Sequence, residues 1–430
     1  MISNRLAAAL ATRDIHYGWV TVGVTFLVML ATAAAMGSAG VLIVPLEQEF
    51  GWSTAEISTA FAIRLMLYGL LGPFAAALMN RFGVRTVVAA ALLLITAGLL
   101  GSFVMNSVWQ MVVLWGVVVG SGTGMTALVL GATVASRWFD KRRGLVVGLM
   151  TASSATGQLI FLPLIAAVTE QVGWRPALTI VVALLLVAML AVLVLMRDRP
   201  ADLGLAPYGA TRLVPNPLRG TLSSLLTSPL VALRDAAKTS VFWVLFLTFF
   251  VCGFSTNGLI QTHWISICGD FGIAAVGAAG ILAVIGIFDL GGTISAGWLS
   301  DRFDNRWLLF WFYGLRGLSL LYLPFSGFSL EALALFGVFY GLDWVATVPP
   351  TVKLAAERFG PERAGLVFGW VFAGHQLGAA SSAFFAGATR TQFDSYMPAV
   401  FIAGILCILA ALLILTVERP ASFKARLQPA

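Results

Sequence analysis

The dominant feature of the chain is a series of long apolar runs separated by short polar segments. A transmembrane helix needs about 20 mostly apolar residues, and twelve stretches reach that length. Strands of a membrane β-barrel are about ten residues long and alternate apolar with polar positions, whereas these runs are apolar on all sides. The pattern therefore predicts an all-α integral membrane protein with twelve transmembrane helices. The predicted spans are 17–42, 55–78, 86–105, 108–134, 144–168, 176–196, 240–264, 274–299, 307–326, 330–352, 364–388 and 395–417.

One longer polar segment, Arg197 to Lys238, divides the spans into six and six. We interpret residues 1–196 as an N-terminal six-helix bundle, 197–238 as a cytoplasmic linker, and 239–430 as a C-terminal six-helix bundle with a short cytoplasmic tail. Within the linker, Ser228 followed by Pro229 predicts the start of an interfacial helix, because serine caps helices and proline suits the first turn. The linker prolines are Pro200, Pro207, Pro215, Pro217 and Pro229.

Composition excludes the common soluble classes of protein. Hydrophobic residues make up 59% of the chain and charged residues 10%, against roughly 45–50% and about 25% in soluble domains. So few charges do not cover a soluble surface, so an ordinary soluble enzyme, a disordered protein and a coiled coil are excluded. The apolar run that starts near Trp19 is longer than a secretory signal, so we expect it to be retained as the first span.

The distribution of lysine and arginine predicts the orientation of the chain. If the N-terminus is cytoplasmic, 22 of the 26 lysines and arginines lie on the cytoplasmic side, and only Arg175 and Arg390 lie outside. This bias predicts a multi-pass protein of the cell (inner) membrane with both termini in the cytoplasm. The net charge of +7 then reflects orientation and contact with anionic lipid. We expect membrane lipid and not nucleic acid as a partner, and a monomeric protein.

The two halves of the sequence repeat each other at a fixed offset of 221 residues. Phe50-Gly51 corresponds to Phe271-Gly272, and Arg137 corresponds to Arg358. Between 142–157 and 363–378, seven of sixteen positions are identical, including glycines and an arginine that shared apolar composition does not explain. A duplicated six-helix unit of this kind places a cavity between its two copies at mid-depth in the membrane.

Two loops at this offset resemble the G-x-x-x-D-R-x-G-x-R signature of the major facilitator superfamily. They read Asn80-Arg-Phe-Gly-Val-Arg85 and Gly297-Trp-Leu-Ser-Asp301-Arg-Phe-Asp-Asn-Arg306. The resemblance covers the whole chain and implies two six-helix bundles that work by alternating access. It further implies an ion pair and helix cap that latch the cytoplasmic side in one state. Asn80 weakens the first copy, so we expect Asp301 to carry more of the latch. The implied gating residues are Asp301, Arg302, Arg306, Arg81 and Arg85.

Within the superfamily, the chain resembles the bacterial monocarboxylate-porter branch. In those porters the aspartate of span eight is followed four residues later by an arginine that binds the carboxylate, and here that position is Thr293. The resemblance rests on His16-Tyr-Gly-Trp19, Arg137-Trp-Phe-x4-Gly144-x3-Gly148, Asp289-x7-Gly297 and Tyr340-Gly-Leu-Asp343-Trp-Val-Ala-Thr-Val-Pro-Pro350.

Four charged side chains and a histidine lie deep inside predicted spans, away from the span ends. A charge in the middle of a bilayer costs several kcal/mol unless it is paired or hydrated, so each is a functional candidate. At about 1.5 Å per residue, Asp289, Arg316, Asp343 and His375 all lie about 13–17 Å from the cytoplasmic ends of their spans. That depth is close to the midplane of a bilayer core about 30 Å thick. Arg64 lies nearer the outer side.

Each of these residues also has a structural interpretation. Asp289 is a candidate proton carrier if no arginine reaches it, and Asp343 precedes a Pro349-Pro350 pair that should end or kink its helix. Arg316 either pairs with an aspartate or binds substrate. His375 is either packed in the core or functional. Arg64 either attracts an anion at the outer mouth or extends to the membrane interface.

These features together predict a secondary active transporter that moves a small organic anion, a monocarboxylate, with a proton. The alternative on the same fold is an exporter of amphipathic or drug-like compounds by proton antiport. A non-transporting membrane sensor would need a signalling domain, and we expect none in the thirteen residues after Val417. The chain has no Walker loop, no H-E-x-x-H and no nucleophile–base signature, so we expect neither an enzyme nor a cofactor or metal site.

Overall fold

The computed structural model describes residues 2–210, 212 and 222–418. The linker prolines Pro215 and Pro217 and the tail from residue 419 lie outside the described residues. Within the described part, the structure is helical, and its one strand-like pairing is a bridge between Phe139 and Tyr208. The twelve long helices are α1 Gly18–Phe50, α2 Thr54–Phe82, α3 Val84–Ser102, α4 Val108–Trp138, α5 Arg143–Val172, α6 Trp174–Leu195, α7 Ser240–Asp270, α8 Ala275–Ser300, α9 Asn305–Phe325, α10 Leu330–Phe359, α11 Pro361–Phe393 and α12 Met397–Ile414.

The predicted twelve-helix membrane fold is confirmed. Within the described residues, ten of these helices are long and apolar enough to cross a membrane. The other two, α5 and α11, contain 30 and 33 residues and occupy the predicted fifth and eleventh spans. Several helices extend beyond their apolar runs. For example, α1 continues from residue 42 to Phe50 because residues such as Glu47 and Gln48 favour helix outside the hydrocarbon core as well.

Two shorter helices lie outside the twelve. One covers Ile2–Ala11, and the other, which we call the linker helix, covers Leu222–Ala236. The prediction that this second helix starts at Ser228 is wrong, because the leucine-rich residues before Ser228 are already helical. The carbonyl oxygen of Pro229 accepts a hydrogen bond of 2.8 Å from Nε1 of Trp370, which fixes the linker helix to α11.

The repeat in the sequence is visible where helices begin and end. Gly51 after α1 and Gly272 after α7 are 221 residues apart, and both have positive φ, at 68° and 78°. Glycine adopts this conformation without strain, so the first helix of each half is followed by a left-handed glycine at the corresponding position of the repeat. Next to Gly51, Ser53 and Glu56 form a reciprocal capping box that starts α2.

The N-terminal half (α1–α6) and the C-terminal half (α7–α12) meet along an antiparallel seam between α2 and α11. Gly69 of α2 lies against Gln376, and the Phe74 ring lies 6.0 Å from the Trp370 ring. Farther along, the backbone N–H of Ala55 donates to Oγ1 of Thr391 at 3.1 Å. We call the end of the molecule that carries the loops 81–85 and 301–306 the basic end. The Ala55–Thr391 contact closes the seam at the opposite end.

Candidate functional site

Helix α10 is interrupted in the middle of the membrane. Its first segment is Leu330–Asp343, its second is Val348–Phe359, and tight turns join them. The break predicted from the two prolines is confirmed, and it lies just before them. Proline has no N–H to donate, so it is tolerated in the first turn of the second segment, where that donor has no helical partner. The break frees backbone N–H and C=O groups that need other partners inside a membrane.

Arg316 of α9 satisfies the carbonyl groups at this break. Its Nη2 donates to the carbonyl oxygens of Asp343 and Trp344, the latter at 3.2 Å. Its Nε pairs with Oδ2 of Asp343 at 2.7 Å, and the arginine side chain is fully buried. The sequence leaves open whether Arg316 pairs with an aspartate or binds substrate, and in this structure it pairs with Asp343.

The remaining face of Arg316 contacts α7. Nη1 donates to Sγ of Cys252 at 2.9 Å, and Sγ also lies 3.3 Å from Oγ1 of Thr347 in the break. The guanidinium carbon lies 5.7 Å from the centre of the Tyr313 ring. Arg316 therefore fastens three helices, α7, α9 and α10, and its donors are engaged with protein groups.

Asp289 of α8 satisfies the other side of the break. Its Oδ1 accepts hydrogen bonds from the backbone N–H of Val345 at 2.9 Å and from Oγ1 of Thr293 at 3.0 Å. Gly292 allows α8 and α10 to approach closely. A Cβ at this position would lie only 1.9 Å from the carbonyl oxygen of Leu342. Arg316 does not reach Asp289. Among the described residues, no cation lies within ion-pair distance of this carboxyl group.

His375 lies apart from this group, although the sequence places it at the same depth. Its ring packs against the rings of Phe249 at 4.9 Å and Phe372 at 5.7 Å. The close approach of α7 and α11 places it there, since a Cβ on Gly253 would lie 1.8 Å from the carbonyl oxygen of His375. The residue is 7% exposed, and Nδ1 has no hydrogen-bond partner among the described residues.

Arg64 of α2 is also buried, with 2% exposure, so it does not extend to the membrane interface. Its Nη1 donates to the carbonyl oxygen of Met36 at 3.2 Å and lies 3.5 Å from that of Ala35. The guanidinium carbon lies 5.3 Å from the centre of the Phe61 ring, and Nε has no hydrogen-bond partner. No described carboxylate pairs with Arg64.

At the basic end, Asp301 has a basic partner that sequence patterns did not indicate. Nζ of Lys353 donates to Oδ1 of Asp301 at 2.9 Å and to the carbonyl oxygen of Ser300 at 2.6 Å. Lys353 lowers the pKa of the Asp301 carboxyl below its usual value, through a hydrogen bond and through its charge. The pair joins α8 to α10 within the C-terminal half. Arg302 lies beside it, with its guanidinium carbon 4.0 Å from the centre of the Trp298 ring.

Arg306 connects the start of α9 to the end of α12. It forms a bidentate pair with Asp304, with Nη2 to Oδ2 at 2.7 Å and Nε to Oδ1 at 3.1 Å. Its Nη1 donates to the carbonyl oxygen of Val417 at 2.6 Å. The side chain is therefore held within the C-terminal half.

The first copy of the signature makes related contacts. Oδ1 of Asn80 accepts a hydrogen bond of 2.6 Å from Arg137 on α4. The backbone N–H of Arg85 donates to Asp198 at 2.8 Å, and its side chain reaches the carbonyl oxygen at the end of α6. Arg85 and Arg306 therefore tie equivalent helices together in the two halves. Arg81 lies 5.5 Å from the centre of the neighbouring phenylalanine ring.

Sequence reasoning missed Cys252, the backbone of Val345 and Lys353. A thiol and a backbone N–H carry no charge, so a search for buried ionisable residues does not find them. Lys353 is one basic residue among many in the sequence. Its position ten residues after Asp343 on α10 indicates that it lies near the basic end, where Asp301 also lies. Among the described residues, no group of three or more His, Cys, Asp or Glu is arranged to hold a metal ion.

Comparison with known proteins identifies the family of the chain. A family model described as Major Facilitator Superfamily matches residues 24–346 and 270–429. The chain belongs to this superfamily. Superfamily relatives include the MFS-type transporter YcxA of Bacillus subtilis, which is 25% identical over 88% of this chain and 90% of its own length. Monocarboxylate transporter 13 of Rattus norvegicus is 26% identical over 91% of this chain and 86% of its own length.

Solved structures show the same superfamily fold. A D-xylose-proton symporter matches with a TM-score of 0.72 and 15% identity, covering 94% of this chain and 99% of its own. The xylose transporter XylE from E. coli, in a partially occluded inward open conformation, matches with a TM-score of 0.69 and 16% identity over 94% and 100%. Membership of the superfamily, together with the long apolar helices, makes the protein a multi-pass membrane transporter and not an enzyme.

Proposed function

We propose that the protein is a secondary active transporter of a small organic anion, a monocarboxylate, and that it is coupled to a proton by alternating access. The observation that carries the coupling is the surroundings of Asp289. Among the described residues, this buried carboxyl group accepts hydrogen bonds only from neutral donors, Val345 N–H and Thr293 Oγ1. A proton on Asp289 therefore removes a charge that no described residue pairs with directly.

Asp343 is less suited to this role. Its charge is already balanced by Arg316, at 2.7 Å. A proton bound to Asp343 would leave the arginine as an unpaired buried cation, which is strongly unfavourable. The two aspartates, although close together, therefore differ in what protonation does to the site.

Protonation of Asp289 acts directly on the break in α10. An ionised acceptor makes a hydrogen bond roughly twice as strong as a neutral one. Protonation therefore weakens the hold of Asp289 on the N–H of Val345, while Arg316 continues to hold the carbonyl groups of the same turn. We infer that the proton changes the balance between two arrangements of α10, which is the kind of element that alternating access requires.

The monocarboxylate substrate is proposed from the relatives and not from a bound ligand. Several relatives are named as monocarboxylate transporters, among them one from Rattus norvegicus and one from Homo sapiens. One buried arginine in the spans, Arg64, has no described carboxylate partner, and this is compatible with an anionic substrate.

Transport by purified protein in proteoliposomes tests the coupling. We expect an inwardly directed proton gradient, with the medium more acidic than the vesicle interior, to drive accumulation of radiolabelled lactate, pyruvate or benzoate by the wild type. The Asp289→Asn variant should lose this accumulation but retain exchange of labelled for unlabelled substrate, since asparagine can still accept the hydrogen bond from Val345. Thr293→Val is the matched control, because it removes one neutral donor to Asp289 and leaves the titratable group in place.

Two results would contradict the proposal. If Asp289→Asn still accumulates substrate with the wild-type dependence on the pH gradient, Asp289 is not the coupling group. If no member of the carboxylate series is transported by the wild type, the substrate class is wrong.

The alternative of a proton-antiport exporter is favoured by one observation. The carboxyl group of Asp289 has no cationic partner among the described residues, so a cationic amphipathic compound could take that place. The same vesicles separate the two functions. An antiporter would accumulate a cationic dye such as ethidium when the vesicle interior is more acidic than the medium, because protons leave in exchange for the dye. It would not transport carboxylates.

We also propose that the basic end faces the cytoplasm of the cell (inner) membrane, together with both termini. The support is the 22 to 2 distribution of lysine and arginine. The bundle boundaries at residues 196 and 239, the monomeric state, and a gating role for Asp301, Arg302, Arg306, Arg81 and Arg85 belong to the same proposal.

A further inference from the structure

Two arginines are buried in the membrane-spanning part of the described structure, and their environments are opposite. Arg316 has a carboxylate counter-ion and donates to a thiol and to backbone carbonyls. Arg64 has two backbone carbonyls at 3.2 and 3.5 Å, a neighbouring aromatic ring, and an Nε without a partner. The charge of Arg64 is therefore not balanced by any described carboxylate, although the side chain is only 2% exposed.

An unpaired cation in the middle of a membrane protein is unfavourable unless something compensates for it. Neutral carbonyl groups and a cation–π contact supply only part of that compensation. A guanidinium group offers five donors in a planar fork that matches a carboxylate. Arg64 thus has the chemistry of an anion-binding group whose counter-ion is not part of the protein.

The position of Arg64 is also suited to a substrate. The next residue, Leu65, packs against Ala379 and Ala383 of α11, so Arg64 lies beside the seam between the two halves. Gly120 of α4 lies against it on the other side, where an added Cβ would come within 2.9 Å of the Cα of Arg64. We infer that separation of α2 from α11 in alternating access uncovers the arginine, whose guanidinium group contacts α1 in this structure.

Polar groups without partners occur on both sides of the same seam. Oε1 of Gln376 on α11, which faces Gly69, is buried and has no hydrogen-bond partner among the described residues, and the same holds for Oγ of Ser58 on α2, which faces Gly387. Buried polar groups normally find partners. Unsatisfied groups along the seam beside an unpaired arginine are what is expected if a small polar ligand completes the hydrogen bonding when the halves separate.

We propose that Arg64 binds the carboxylate of the transported substrate. The inference rests on the proposed function, because it takes an organic anion as the substrate. It assigns recognition of the anion to α2 in the N-terminal half and coupling of the proton to Asp289 on α8 in the C-terminal half. Arg316 then serves the break in α10, and Thr293, which donates to Asp289, brings no charge for an anion.

Thermal unfolding of purified protein with defined small molecules tests this assignment. The probes are lactate, pyruvate and benzoate, each compared with its uncharged amide. We expect at least one carboxylate, but not its amide, to raise the Tm of the wild type, because a ligand stabilises the state that it binds. In Arg64→Met the apparent affinity for that carboxylate should fall about 10- to 100-fold, as expected for the loss of a charge-assisted hydrogen bond. Arg64→Lys keeps the charge but lacks the planar fork of donors. Its apparent affinity for the carboxylate should lie between those of the wild type and Arg64→Met.

The Tm without ligand separates a binding role from a structural one. If Arg64 binds substrate, Arg64→Met removes an unpaired buried charge, and its Tm should be no more than about 2 °C below that of the wild type. A larger loss, or failure of both Arg64 variants to fold, would show that the arginine is structural and would overturn the assignment.

The outcomes also separate this inference from the proposed function. If Arg64→Met binds and transports the carboxylate as the wild type does, the assignment to Arg64 is wrong, while anion transport and Asp289 coupling remain. If the wild type responds to no carboxylate and transports none, the substrate class and the assignment fail together.

Discussion

Replacement of Arg316 by methionine should destabilise the protein strongly, because three groups lose their partner at once. Asp343 would keep its charge in a buried site without a counter-ion, and it is only 4% exposed. The carbonyl oxygens of Asp343 and Trp344 would lose their donor at the break in α10. Methionine has a similar length and no charge, so the change removes the interactions and leaves little cavity.

The size of the effect follows from these contacts. Removal of one partner of a buried ion pair costs about 3–5 kcal/mol, and each carbonyl left without a donor adds about 1 kcal/mol. For a chain of this length, 1 kcal/mol corresponds to about 1 °C in Tm if the per-residue unfolding entropy of soluble proteins applies. We therefore expect Arg316→Met to lower the Tm by about 5–7 °C.

A double-mutant cycle with Asp343→Asn identifies the pair as the cause. Either single change leaves one buried charge unpaired, whereas the double variant leaves none. The double variant should therefore be more stable than the sum of the single changes predicts, by about 3 kcal/mol or about 3 °C. Thermal unfolding followed by intrinsic tryptophan fluorescence in detergent measures all four proteins.

Arg64→Met is the matched control, because it makes the same substitution at a buried arginine that has no described carboxylate partner. A Tm loss below about 2 °C for Arg316→Met, or strict additivity in the cycle, would refute the reasoning about the break. Equal losses for Arg316→Met and Arg64→Met would show that burial alone, and not ion pairing, decides the cost.

Two further predictions concern the basic end. In intact cells, Lys238→Cys should not react with a membrane-impermeant maleimide, because the linker is proposed to be cytoplasmic. Gln171→Cys, on the proposed outer side, should react. The three native cysteines are buried and should give little background labelling. Labelling at position 238 but not at position 171 would contradict the proposed orientation. Asp301→Asn and Lys353→Gln should slow turnover with little change in substrate affinity, since they remove the same ion pair. Lys353 lowers the pKa of Asp301 below the usual range of an aspartate, so the carboxyl group stays ionised throughout the range from pH 6 to pH 8. The loss should therefore be equal at pH 6 and pH 8, and a pH-dependent or absent effect would contradict a gate at Asp301.

The fold could be predicted from the sequence because a membrane-spanning helix has a length and composition that few other structures share. The break in α10 could be predicted for a similar reason, since two consecutive prolines have no N–H to donate. The partners at the break could not. Arg316 and Asp343 are 27 residues apart and Asp289 and Val345 are 56 residues apart, so their contacts depend on how α8, α9 and α10 pack.

Depth along a helix is readable from sequence, but direction around it is not. Counting residues places Asp289, Arg316, Asp343 and His375 at one level, and three of them do meet. His375 faces Phe249 and Phe372 instead. The spans carry apolar residues on every side, so no periodic pattern indicates which face of α11 is turned toward the other ionisable groups.

In the coupling that we propose, the break in α10 connects a proton with a movement of helices. Its carbonyl groups are held by Arg316, whose charge is fixed by Asp343. Its N–H at Val345 is held by Asp289, whose charge no described cation fixes. One side of the same turn is therefore constant while the other side depends on protonation. We therefore expect a change at Asp289 to shift the balance at the turn without breaking the ion pair, so that the helix responds to a single proton and remains anchored to α7 and α9.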